Sequence, residues 1–340
     1  MGHLVAAPDK FRGTASASEV AAAAAEAARH GGWTADEVPL SDGGEGLLEA
    51  VGGEPRVTEV RGPLATSVAA EWRLVPALPD GSGPVAVVEM ATAAGLLLAG
   101  GAERNDPLGA STFGVGELVL AGVAAGARRV IVGCGGSATT DGGLGAVSAI
   151  GSKDRLRGAE LVVATDVTTR FERAAELFGP QKGATPEQVV ALTARLGDVA
   201  EHYERAFGVD VRDVPGAGAA GGLAGGLVAL GGRVVPGFDL VAGLVDLPAR
   251  LARADLVVTG EGRLDPTSLE GKVVGSVIRL VAGRVPVLCI VGDVDPAVVD
   301  DEQLGPGVEV VSLVDLAGPE RARAAVAELV GTVVAERLPR

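Results

Sequence analysis

Aromatic side chains are scarce in this chain. Six Phe, two Trp and one Tyr make up 3% of its 340 residues, so the core must be built mostly from Ala, Val and Leu. Hydrophobic residues reach 47%, which excludes a disordered chain poor in Val, Leu and Ile. Cysteine is limited to Cys134 and Cys289, both in apolar strand-like runs, with a spacing that suits no metal site. Reduced, buried thiols are expected, as in a cytoplasmic protein. The three histidines, His3, His30 and His202, have no Ser or Cys partner that would suggest a hydrolase triad. Positive charge is short as well: 29 Lys and Arg face 44 Asp and Glu, for a net charge of −15. No basic run relieves it, so nucleic acid and anionic membranes are excluded as partners, and a phosphorylated ligand would need a local positive site. The N-terminus enters a strand with no basic region, and no secretion signal is expected. One uncharged stretch, residues 214–232, reaches spanning length, but eight of its 19 residues are Gly. It reads as a glycine loop entering a buried helix.

Glycine is what the chain has in excess: 52 Gly with 19 Pro make about a fifth of it. That lies below the roughly 25–30% at which low complexity is the better reading. The length fits one large domain or two ordinary ones. Residues 3–7 form an apolar run, followed by a loop. Ser16 and Glu19 then have the spacing of a capping box before an Ala-rich helix that Gly31-Gly32 ends. Alternation over Ser67–Val75 predicts an antiparallel strand, and Val85–Glu89 another strand. Residues 114–127 and 186–207 read as helices. Short Val/Ile/Leu runs at 256–259, 285–291 and 308–314 look like strands buried on both faces of a parallel sheet, and 320–337 as a final helix. The expected fold is α/β with two domains. Both chain ends, 1–60 and 250–340, build a doubly wound (Rossmann- or flavodoxin-like) parallel-sheet domain, and 61–249 an inserted mixed α/β domain, with a cleft between them.

Five segments, Asp9–Thr14, Ser41–Gly46, Gly133–Gly143, Phe178–Ala184 and Thr259–Lys272, join glycines to acids, hydroxyls or bases next to strands, where α/β folds bind ligands. Gly135-Gly136-Ser137-Ala138-Thr139-Thr140-Asp141-Gly142-Gly143 suits a phosphate cradle, because glycines let backbone N–H groups approach oxygen and hydroxyls add donors. It equally suits a tight turn. There is no G-x-x-x-x-G-K-[ST] loop and no G-x-G-x-x-G after the first strand. Ser41-Asp42-Gly43-Gly44-Glu45-Gly46 places two carboxylates in a glycine turn, as a Mg²⁺ site or a hydroxyl acceptor would, or as a helix N-cap would. Thr259-Gly260-Glu261-Gly262-Arg263-Leu264-Asp265, with Ser268 and Lys272 beyond, sets charges in alternation after a buried strand. Lys272 could reach a phosphate, and Arg263 with Asp265 could equally form a surface pair. Lys182 stands alone in a Gly/Pro turn. Residues 213–222 read as structural.

Ala7-Pro8-Asp9-Lys10-Phe11-Arg12-Gly13-Thr14 resembles the opening motif of the class I glycerate kinases (glycerate 2-kinase type). The segments at 41–46, 135–143, 178–184, 213–222 and 259–265 with Gly271-Lys272 resemble further motifs of that family, in its order. So do Arg104, Asp106-Pro107-Leu108 and Gly114-Val115-Gly116-Glu117. The resemblance implies ATP- and Mg²⁺-dependent phosphorylation of D-glycerate, at the 2-hydroxyl, in a cleft between two α/β domains. Two departures stand out. The stretch between Gly145 and Asp166 is far shorter than the family's, and Asp166-Val167-Thr168-Thr169-Arg170-Phe171 lacks its Asn-Pro. These allow a kinase for a related small hydroxy acid, or a non-catalytic binder of a nucleotide or sugar acid. On chemistry, Gly135, Gly136, Ser137 and Thr139 are expected to hold ATP phosphates. Asp42 and Asp141 are expected to hold Mg²⁺ or orient the hydroxyl, with Asp265 as the alternative base. Arg263 and Lys272 would neutralise charge, and Asp9, Lys10, Arg12, Glu45, Lys182, Glu261 and Ser268 would line the same site. A homodimer is compatible with the sequence, which does not fix the oligomeric state.

Overall fold

The computed structural model describes residues 2–77, 81, 83–298 and 304–339. Its strands, in chain order, are β1 (His3–Ala6), β2 (Thr34–Glu37), β3 (Glu54–Arg61), β4 (Ser67–Val75), β5 (Val85–Glu89), β6 (Arg129–Gly133), β7 (Glu160–Ala164), β8 (Arg233–Val235), β9 (Leu256–Leu264), β10 (Val287–Val294) and β11 (Val308–Ser312). They fall into two compact units, residues 1–42 with 241–340, and residues 43–240. Residues 43–60 go with the second unit because β3 pairs along its whole length with β4.

In the first unit all strands are parallel, in the order β11-β10-β9-β1-β2. Counted within the unit this is the flavodoxin-like order, and the strand order reverses between β1 and β9. Leu4, Ala6, Leu256, Val258, Leu288 and Ile290 pack on one face against the helices Ala17–His30 and Val326–Arg337. Cys289 and Val291 pack on the other with Val274 of the helix Val273–Val281. Helices on both faces make the sheet doubly wound. The capping box closes as expected: Ser16 Oγ accepts from the Glu19 N–H at 3.2 Å, and Glu19 accepts from the Ser16 N–H at 2.8 Å.

Several boundaries differ from the sequence reading. β9 does not stop at Thr259 but runs on to Leu264, so Glu261 and Arg263 lie on a strand and not in a loop. β10 supplies the pairing partners as far as Val294, and the absence of a side chain at Gly260, whose Cβ would sit 1.8 Å from the Ile290 carbonyl, permits the approach. The run at 308–314 ends as a strand at Ser312, which caps the helix Leu313–Ala317 by accepting from the Asp315 N–H. The final helix is two, Pro319–Ala324 and Val326–Arg337, parted at Ala325.

The second unit holds a mixed sheet in the order β3-β4-β5-β6-β7-β8. β3, β4 and β5 are antiparallel, as the alternation over β4 predicts, and β5 to β8 are parallel. Val88, Val130, Val132, Leu161 and Val163 pack against the helices Phe113–Ala124, Leu144–Ile150, Pro186–Phe207 and Ala219–Ala229. The uncharged stretch 214–232 is a glycine turn leading into the last of these. Among the described residues no helix is long and apolar enough to cross a membrane.

Gly221 shows why that stretch is so poor in side chains. It adopts φ +68°, and a Cβ on it would lie 1.9 Å from the Thr139 carbonyl. Gly221→Ala should cost about 2–4 kcal/mol, from backbone strain and overpacking together. Gly32, also at positive φ but facing open space, should cost only about 1 kcal/mol on the same change. Urea unfolding of the two variants checks the difference.

Candidate functional site

The first unit gathers its charged residues at the point of strand reversal, where ligands bind in open α/β sheets. Asp9 follows β1, tied to β9 by its N–H, which donates to the Gly260 carbonyl at 2.8 Å. Thr259 Oγ1 donates to the Ala7 carbonyl at 2.9 Å and locks the same two strands. Asp9 is buried, and burial lifts its carboxyl to about 6; Lys10, 3.4 Å away, pulls the other way, and the charge of Asp42 adds to the rise. Glu261 lies on the extension of β9. Burial lifts it to about 7, with the negative charges of Asp9 and Asp265 adding and Ser268 and Lys272 opposing. Its Oε1 is buried without a hydrogen-bond partner. A carboxylate short of water, with one oxygen lacking a donor, favours its neutral form or a cation.

Asp265 has a different task. It caps the turn Pro266–Leu269: its side chain accepts from the Ser268 N–H at 3.0 Å and from Thr267 Oγ1 at 2.6 Å, which holds its carboxyl below the usual range. Ser268 is fully buried, and its Oγ accepts in turn from the Asp265 N–H at 3.0 Å. Lys272 Nζ donates to Thr267 Oγ1 at 2.6 Å and lies 4.0 Å from Asp265. Arg263 turns to Asp295 at 3.0 Å and stays exposed, and Arg12 is exposed too.

In the second unit three glycine segments meet backbone to backbone. A Cβ on Gly135 would lie 2.7 Å from Gly44 Cα, one on Gly133 2.5 Å from the Gly43 carbonyl, and one on Gly222 2.7 Å from Gly142 Cα. A Cβ on Gly183 would lie 2.1 Å from the carbonyl of Ala102. The motifs at 43–46, 135–143 and 213–222 are thereby brought together, and 178–184 joins them through Lys182; Gly135 is half-buried, Ser137 is buried, and Gly136 and Glu45 are exposed. Glu89, at the end of β5, accepts from the N–H groups of Gly46 and Leu48 and so fixes the turn at 43–46. Asp141 is buried, and its oxygens accept from the N–H groups of Thr112, Gly143 and Gly145 and from Thr112 Oγ1, at 2.8–3.1 Å. With four donors on it, the carboxylate ties Thr112, Gly143 and Gly145 together. Lys182 is 3% exposed and donates to the Thr139 carbonyl at 2.7 Å; burial pushes its ammonium down to about 7, against the pull of Asp141.

The motif reading missed Glu89, Asn105, Thr112 and Tyr203, whose hydroxyl donates to the Gly142 carbonyl at 2.9 Å. Glu89 had a signal, since it closes an otherwise apolar buried strand. Asn105, inside the Arg104–Asp106 stretch, had none. Among the described residues no three His, Cys, Asp or Glu form a metal-holding group.

Raised carboxyls are also a statement about stability. The folded chain binds the Asp9 and Glu261 protons more tightly than the unfolded chain does. Stability from this source is therefore complete below about pH 4 and is lost as pH rises through 6 and 7. Glu261→Gln, which never ionises, should raise stability at pH 8 by about 1–3 kcal/mol and change it little at pH 5. Urea midpoints at the two pH values measure this, and an equal gain at both would refute the ionisation account.

The chain matches the glycerate kinase family over residues 4–154 and 152–336. It is 39% identical over 308 residues to the glycerate 2-kinase of Escherichia coli (strain K12), covering 79% of each chain. It is 37% identical over 334 residues to the glycerate kinase of Bacillus subtilis (strain 168), covering 86% of this chain and 85% of that one. A solved structure described as a glycerate kinase 2 from Salmonella typhimurium LT2 superposes with a TM-score of 0.80 at 33% identity, over 99% of this chain and 98% of the other. Matched from residue 4 to residue 336, the chain belongs to the glycerate kinase family and is a phosphotransferase acting on an alcohol group.

Proposed function

We propose that this chain transfers the γ-phosphoryl group of ATP, with Mg²⁺, to the 2-hydroxyl of D-glycerate, giving 2-phosphoglycerate and ADP. The observation that carries the reading is the pair of carboxylates at the strand reversal of the parallel sheet, Asp9 buried and Glu261 half-buried, both raised toward neutrality. Attack by an alcohol needs an acceptor for its proton, and a group titrating near neutrality serves best. Glu261 takes that proton as the 2-oxygen bonds to phosphorus and the bond to the bridging oxygen of ADP breaks. The name of the Escherichia coli relative, glycerate 2-kinase, supports the choice of hydroxyl.

Mg²⁺ commonly keeps one or two carboxylates, with phosphates and water completing its shell. Asp9 and Asp42, whose negative charges oppose each other, fit that donor set and would hold it. Bound there, the ion would neutralise phosphate charge. Asp141 fits less well, because its oxygens already carry four hydrogen bonds. Lys10 and Lys272 would offset charge on the phosphoryl group or on the glycerate carboxylate. Gly135, Gly136, Ser137 and Thr139 would hold the donor's phosphates. The two free cysteines fit a reducing, cytoplasmic setting.

A second reading, a kinase for a related small hydroxy acid, is favoured by one observation. In the stretch after β7, Thr169-Arg170 stand where the family motif has Asn-Pro, and Phe171 beside them is fully buried.

Phosphorus NMR with ATP, Mg²⁺ and D-glycerate should show a new phosphomonoester whose proton coupling identifies the 2-phosphate. Asp9→Asn and Glu261→Gln should each lower kcat by about 10²–10³. ATP left intact by folded protein, with D-glycerate and a hydroxy-acid panel alike, would sink both readings.

A further inference from the structure

The carbonyls of the loop after β6 are held from behind by side chains. Asn105 Nδ2 donates to the Ala138 carbonyl at 2.9 Å, and Lys182 Nζ to the Thr139 carbonyl at 2.7 Å. Asn105 Nδ2 also donates to the Lys182 carbonyl at 2.9 Å, so one amide ties the lysine turn to the loop. A peptide unit is planar and trans, so the N–H of each residue points opposite to the preceding carbonyl. Fixing the carbonyls of 138 and 139 therefore fixes the direction of the Thr139 and Thr140 N–H groups.

Those two N–H groups donate to nothing among the described residues. Thr139 Oγ1 and Thr140 Oγ1 are likewise buried without a partner. The residues are 0% and 1% exposed, so four donors on two adjacent residues stand out of water and unpaired. Buried donors in folded proteins are nearly always paired. A set this dense matches an anion with several oxygens on one centre, which is the chemistry of a phosphoryl group. Lys182 adds a cation behind the loop, with Asp141 and Cys134 as the titratable groups facing it.

We propose that Asn105 and Lys182 are positioning residues for phosphoryl transfer: by holding the Ala138 and Thr139 carbonyls they aim the amides and hydroxyls of Thr139 and Thr140 at phosphate oxygens. This rests on the kinase reading above and assigns Lys182 a place behind the loop instead of a direct reach to phosphate. Asn105 carries no charge and belongs to none of the glycine motifs.

Asn105→Asp keeps the shape and removes both donated bonds. Lys182→Met keeps most of the length and removes the charge and the donor. In steady-state assays with ATP and D-glycerate, each should lower kcat by about 10–100-fold and raise the KM for ATP, with the KM for glycerate within about twofold of the parent. Lys182→Arg, which retains a donor, should recover part of the loss. The double variant should fall no further than the worse single one, because the two residues share one task. A merely structural role would lower the melting temperature and leave kcat and both KM values of the folded protein unchanged, and that result would overturn the proposal. Hydrogen exchange of the parent protein with a non-hydrolysable ATP analogue gives a second, independent reading. Protection of the Thr139 and Thr140 amides is expected, and its absence would overturn the proposal even if the variants fail to fold. If the parent binds the analogue with this protection but does not phosphorylate glycerate, the kinase reading fails and the positioning role stands.

Discussion

Where Gly221 passes Thr139 there is no space for a methyl group between the two backbones, and the same is true where Gly222 passes Gly142 and Gly135 passes Gly44. This close approach is the constraint on which the second unit is built. Segments far apart in sequence can converge on the loop after β6 only because each brings glycine to the contact. Convergence leaves few positions for side chains, and those that remain must each do a defined task. Asp141 takes three backbone N–H groups and a hydroxyl, Glu89 fixes the turn at 43–46, and Tyr203 holds the Gly142 carbonyl. Phe171 stacks its ring edge against Tyr203 at 6.3 Å between centroids and fills the space beside Gly142, Gly222 and Gly225. Few aromatic residues are needed in such a unit, since backbone fills much of the volume that aromatic rings would otherwise occupy.

The first unit solves a different problem. Its acids gather at the strand reversal, but they divide into two kinds. Asp265 spends its oxygens on a cap and stays readily ionised, whereas Asp9 and Glu261 lose water without gaining enough donors to replace it. Solvation and local hydrogen bonding, not residue type, therefore separate the acid that caps a turn from the acids whose neutral form is favoured.

The sequence made several of these features legible for reasons that can be named. The Ser16–Glu19 box, the alternation of β4 and the helix Pro186–Phe207 each rest on local spacing, and local spacing survives folding. The parallel sheet followed from apolar runs, and the motif loops from their glycines and acids. What escaped was set by partners distant in the chain. β9 runs on through Glu261 because β10 accompanies it, which no pattern within residues 259–265 reveals. The bonds Asp141 accepts from Thr112 join residues 29 apart in the chain, which no pattern within the glycine loop reveals. Asn105 was invisible because a single amide in a loop carries no periodicity.

One consequence follows from the way the chain is threaded. The first unit is interrupted: β1 and β2 emerge first from the ribosome, but β9, which lies beside β1 in the sheet, is made only after the whole of residues 43–240. The second unit is continuous and its strands pair with neighbours in sequence order. During synthesis the inserted unit can complete its sheet while one edge of β1 waits without its partner. That edge is a row of unpaired backbone groups open to the wrong strand. The order of birth thus puts the hazard of misassembly on the half of the protein that carries Asp9.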